Sequence, residues 1–243
     1  MKSSIRWLFS LLIGGILVGS IYAGGNENSS PTTSHRPELE YLKAVNRAAP
    51  PRDPQLLFLL MGQYVNANMH REGIEFFSTV VKQFESRLSD RQKSLYLSAI
   101  GLLRAGYASE VPFLKRIGWV RETIEVLEDA KRLSGGQVFV VRWISGVVYA
   151  QLPGIFNQRE AALADLAWCV ENADKAPHAG WLREVYYQLA TLYQSDGRTV
   201  QAQEYLRLSG YAHFGKPITL TTPFAEDVAT GHTFSSKRIA EIV

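Results

Sequence analysis

The chain has 243 residues, of which 46% are apolar and 20% charged, which allows a sizeable core and excludes a low-complexity or disordered polypeptide. The formal charge of +3 includes Lys2 and Arg6, and without those two basic residues it becomes +1, which gives no sign of a nucleic-acid surface. A single cysteine, Cys169, excludes an internal disulfide, so stability must come from packing.

Residues 1–23 have the order of a secretory signal peptide. Lys2 and Arg6 form a positive head, Trp7 to Val18 is almost wholly apolar, and Ile21-Tyr22-Ala23 is an acceptable cleavage site. The competing reading is an uncleaved anchor, since Trp7 to Ala23 is 17 residues, at the short limit of the roughly 17–25 needed to span a bilayer. Gly14, Gly15, Gly19 and Ser20 weaken such a span, and the lack of a cysteine near the leader argues against a lipid anchor. The leader predicts a periplasmic or secreted protein, with membrane contact only through the leader if it stays uncleaved.

Residues 24–36, GGNENSSPTTSHR, read as a flexible linker. Helical spacing starts after Pro37 with Leu39, Leu42 and Val45, and Ala48-Ala49-Pro50-Pro51 stops it. Asp53 and Pro54 suit a helix start, and 54–67 carries Leu57, Leu60, Met61 and Tyr64. The next helix, 70–87, carries Ile74, Phe77, Val80, Val81 and Phe84, with Gly62 and Gly73 as small contact residues. Further helices are predicted over 90–107, from Pro112 to Leu133, over 138–152 with Gly146 and Tyr149, and over 157–173 with Ala162, Leu166 and Cys169. Ser134-Gly135-Gly136 ends the helix from Pro112 to Leu133. The last pair lies in Val185–Tyr211, with Leu189, Ala190 and Tyr193 before a turn at Gly197, then Ala202 and Leu206. The spacing thus predicts an all-α domain over 37–211 with about eight helices in four antiparallel pairs, and an irregular tail over 212–243.

The last pair resembles a tetratricopeptide repeat, with Ala190 and Ala202 as close-approach positions and Tyr193 packing over them. Gly62, Gly73, Gly146 and Ala162 would hold comparable positions in more degenerate pairs. The resemblance implies helix pairs stacked as a right-handed solenoid whose concave groove receives a protein or peptide. A non-repeat helical bundle would give the same periodicity. The closing segment GHTFSSKRIAEIV resembles the lead-in to metallo-β-lactamase-fold hydrolases, although their His-x-His-x-Asp-His metal motif is absent from this sequence. That resemblance implies an alternative, the helical accessory region of a hydrolase whose catalytic domain is missing or separate.

No catalytic or metal-binding constellation stands out. His35, His70, His178, His213 and His232 are not within ligand spacing of one another, and Cys169 sits in an apolar helical face with no nucleophile motif. No cofactor, metal or nucleic-acid partner is expected. Arg142 and the Arg183-Glu184 pair interrupt apolar helices. One reading is structural, an Arg–Glu pair between neighbouring helices or an outward-facing side chain. The other places Arg142, Tyr149, Arg183 and Tyr187 along the groove, holding an anionic or peptide ligand. Aromatic residues are dense in the second half, with Trp119, Trp143, Trp168, Trp181, Tyr186, Tyr187 and Tyr193 divided between core and exposed anchors for a partner. Phe113 to Arg121, FLKRIGWVR, fits either a membrane surface or a short helix with snorkelling Lys and Arg.

The leading functional reading is an exported scaffold that binds a protein segment or an envelope component. A hydrolase accessory region and a periplasmic small-ligand binder with an enclosed pocket around Arg142 and Arg183 are the alternatives.

Overall fold

The computed structural model describes Glu40, Lys43, Ala44, Arg47 and residues 54–176 and 179–214. The leader, the linker, the tail beyond 214, and His35, His178 and His232 lie outside these residues. Among the described residues all regular structure is helical, so the all-α expectation holds for them. The helices are α1 (Pro54–Asn66), α2 (His70–Gln83), α3 (Asp90–Tyr107), α4 (Phe113–Leu133), α5 (Phe139–Ala150), α6 (Arg159–Glu171), α7 (Ala179–Ser195) and α8 (Thr199–Ser209). Short 3-10 turns occupy Gly154–Phe156 and Ala173–Lys175. Glu40, Lys43, Ala44 and Arg47 are helical as well.

Local chemistry explains the boundaries. Ser89 caps α3, its Oγ accepting the Gln92 backbone N–H while the Gln92 side chain accepts the Ser89 N–H. Helix α8 ends at Gly210 with φ of 73°, a left-handed conformation that costs glycine no Cβ clash. Helix α2 is shorter than its apolar spacing predicts and stops at Gln83 instead of 87. Phe84 turns into the core there, and the N–H groups of Arg87 and Leu88 both donate to the Phe84 carbonyl, closing the chain into a turn.

Consecutive helices pack as the pairs α1/α2, α3/α4, α5/α6 and α7/α8. The first helices touch in succession, α1 with α3, α3 with α5 and α5 with α7. Each second helix also touches the first helix of the next pair. One core runs from α1 to α7, with Tyr64, Phe77, Leu103, Leu127, Ile144, Leu166 and Leu189 fully buried. Each such apolar side chain contributes about 1.5–3 kcal/mol. A smaller cluster of Tyr187, Ala190 and Leu206 joins α8 to α7.

Small residues set the helix spacing. A Cβ on Gly73 would lie 2.8 Å from Leu103 Cδ1 and 2.9 Å from Tyr64 Cγ, and one on Gly146 would lie 2.8 Å from Leu166 Cγ. Gly101, not singled out in the sequence, has the same relation to Leu127. Gly62 is buried in α1, and Ala162, Ala190 and Ala202 are fully buried. The Trp181 ring stacks on Trp143 at 4.6 Å and meets the Phe58 ring edge-on at 5.8 Å. These three rings bring α1, α5 and α7 together, so the first-helix layer is filled at this level.

Candidate functional site

Arg142 lies on α5, an apolar helix whose inner face is buried. Its Nη1 donates to Asp165 Oδ1 on α6 at 2.5 Å, and its Nε donates to the Gly136 carbonyl at 3.0 Å. Asp165 is 1% exposed, and Lys131 Nζ donates to its other oxygen at 3.2 Å. Lys131 also pairs with Glu128 at 2.7 Å, and Glu128 accepts the Tyr149 hydroxyl at 2.7 Å. Arg142, Tyr149, Lys131, Glu128 and Asp165 therefore form one charge-matched network joining α4, α5 and α6. Asp165 supplies the acid that the sequence left to a glutamate or a ligand.

Arg183 and Tyr187 belong to a different neighbourhood, between α7 and the segment after α8. The Arg183 Nε donates to the Ser209 carbonyl at 3.1 Å, and its guanidinium lies 5.5 Å from the Tyr211 ring centre. The Tyr187 ring meets Tyr211 edge-on at 4.8 Å. Between them, Glu184 is 6% exposed and accepts from Gln188 Nε2 at 3.2 Å. Burial pushes the Glu184 carboxyl up to about 7, against the opposing pull of Gln188, Arg183 and Tyr211.

The aromatic residues divide by depth. Trp143 and Trp181 are core, while Trp119 is pinned between α3 and α4. Its Nε1 donates to the Arg104 carbonyl at 2.8 Å, and the Arg104 guanidinium covers its ring at 3.8 Å. Tyr186, Tyr193 and Tyr205 are half-buried and form a ladder across α7 and α8. Tyr186 stacks on Tyr205 at 6.2 Å, Tyr205 stacks on Tyr193 at 5.4 Å, and Arg198 caps the Tyr193 ring at 4.4 Å. Tyr186 and Tyr193 stand seven residues apart and so share one face of α7. Tyr205 was not distinguished in the sequence, because its place between them depends on how α8 docks.

Cys169 is fully buried, and its thiol is pushed up by burial, which removes thiolate character. Among the described residues no three of His, Cys, Asp and Glu converge in a way that could hold a metal ion.

Among the described residues, the fold and these clusters define sequentially packed helix pairs, with a matched internal charge network and a partly buried tyrosine ladder on the last pair. Comparison with protein-family models, with curated proteins and with solved structures gives no match.

Proposed function

We propose that this chain is an exported scaffold, its helix pairs stacked in the manner of tetratricopeptide repeats, which holds a protein segment or an envelope component. The succession of first-helix contacts and the close approaches at Gly73 and Gly146 support the stacking. The order of residues 1–23 supports export.

The observation that carries the binding role is the ladder of Tyr186, Tyr205 and Tyr193, capped by Arg198. Three partly buried tyrosines stacked in register present rigid, amphipathic edges at low entropic cost, and tyrosine and arginine are the residues that anchor protein interfaces. Arg183 is exposed on the same helix pair and adds a guanidinium fork for a carboxylate. Arg142 and Tyr149, by contrast, are engaged inside the α4–α5–α6 network. The binding face is therefore assigned to α7 and α8.

A photo-reactive side chain at Tyr186, compared with one at the exposed Thr79 of α2, tests this in intact cells. The proposal expects a discrete adduct from position 186 and none from 79. Equal or absent labelling at both positions would count against it.

A further inference from the structure

A helix that ends in a left-handed glycine can turn its chain back on itself, and Gly210 does so after α8. Residues 210–214 then lie against α7 as a strap without helix or strand. Buried Ser209 fixes the turn, its Oγ accepting the Tyr211 N–H at 3.2 Å and donating to the Leu206 carbonyl at 2.6 Å. The Tyr211 ring lies edge-on to Tyr187 at 4.8 Å, with the Arg183 guanidinium 5.5 Å from its centre. Tyr211 and Phe214 pack on the cluster of Tyr187, Ala190 and Leu206, which is separate from the main core.

A buried carboxyl meets this strap. Glu184 is 6% exposed, and it accepts the Tyr211 hydroxyl as well as Gln188 Nε2. Its neighbour Arg183 attracts it but directs its Nε to the Ser209 carbonyl at 3.1 Å. Charged groups on the other helices packed against α7 are engaged elsewhere. Arg142 of α5 pairs with Asp165 of α6, Arg159 of α6 with Asp196, and Glu204 with Arg207 on α8. Glu160 and Glu171 of α6 and His213 of the strap are exposed. The strap thus closes over an acid whose nearest partners are a tyrosine, an amide and one flanking arginine.

We propose that residues 210–214 are a proton-controlled strap, closed over Tyr187, Ala190 and Leu206 while Glu184 is protonated and opened when Glu184 ionises. Opening returns the carboxyl to water, and its proton passes to solvent. Burial in the closed form raises the carboxyl from 4.5 to about 7. Between those values the closed form holds a proton that the open form releases. Protonation therefore supports closure fully below about 4.5, and that support is lost as pH rises through 7. A short segment without secondary structure opens at far lower cost than the helices beneath it, so the strap can respond while the fold stays intact. The device does not depend on the tyrosine ladder binding a partner.

Amide hydrogen exchange on the full chain tests this, in a His213→Gln background that removes the strap's own histidine. Protection of the Tyr211 amide, corrected for intrinsic exchange, should fall roughly tenfold between pH 6 and pH 8. With Glu184→Gln added, the same amide should show no change over that interval. At both pH values Tyr211 should be far less protected than Leu189 in the α7 core, as local opening requires. Protection of Tyr211 that ignores pH, or that falls equally with Glu184→Gln, would overturn the proposal. Protection equal to that of Leu189 would overturn it too, because the strap would then open only with the whole fold.

Discussion

Arg142 on α5 and Asp165 on α6 meet at 2.5 Å, and the carboxylate is almost completely withdrawn from water. An arginine in an otherwise apolar helix is thus explained by an acid 23 positions further along the chain. Lys131 meets the other oxygen of the same carboxylate, so three helices share one buried charge cluster. Such clusters cost desolvation energy and are destabilising when broken by halves.

Arg142→Met is accordingly expected to lower the unfolding free energy by about 3 kcal/mol, because Asp165 would keep only Lys131. The double variant Arg142→Met with Asp165→Leu should recover most of the loss. Urea unfolding of the wild type, both single variants and the double variant gives the coupling energy directly. Purely additive losses would refute the pair.

Glu184 makes stability depend on pH in a direction opposite to that of an ordinary surface carboxylate. Its folded value of about 7 lies above its ordinary value of 4.5. Between these values the folded state holds a proton that the unfolded state releases, so the contribution is fully present below about 4.5 and is lost as pH rises through 7. The loss is on the order of 3 kcal/mol. Glu184→Gln, which cannot ionise, should gain on the wild type between pH 5 and 7 and level off by pH 8 in parallel unfolding measurements. A difference constant over that range would contradict the assignment.

Two glycines of similar helical setting should respond to alanine in opposite ways. At Gly146 the new Cβ would lie 2.8 Å from Leu166 Cγ, whereas at Gly118 on exposed α4 nothing lies within 4 Å. Gly146→Ala is expected to cost roughly 1–3 kcal/mol by overpacking. Gly118→Ala should stabilise by about 0.5–1 kcal/mol through lost chain entropy and better helix propensity. Thermal unfolding of the two variants decides this, and like-signed shifts would count against the packing described.

Cys169 should behave as an unfolding reporter. Full burial and a raised thiol keep it from reacting with a disulfide reagent in the native state. Modification is expected to track the unfolding transition in denaturant, and rapid labelling under native conditions would show that the α5–α6 contact opens.

Helix positions were legible because each helix carries its own apolar period and its own start and stop residues. Pro112 and Ser134-Gly135-Gly136 bracket α4 closely, and Gly197 marks the turn before α8. Long-range pairing was not legible. Nothing near Arg142 in sequence singles out Asp165, and the acid picked out in the sequence, Glu184, faces Gln188 and Tyr211 instead. Tyr205 joins Tyr186 and Tyr193 only once α8 docks on α7, and Phe58 meets Trp181 across about half of the chain. The short end of α2 is a similar case, because Phe84 keeps the helical period while its backbone leaves the helix to bury the ring.

The scaffold reading rests on the tyrosine ladder being covered by another molecule in the cell. In-cell radical footprinting measures this most directly, by comparing side-chain modification of Tyr186, Tyr193 and Tyr205 in living cells with that in the purified protein. Strong protection of the three tyrosines in cells, with exposed Thr79 modified equally in both, is the predicted result. Equal modification of the tyrosines in cells and in isolation would contradict the scaffold account.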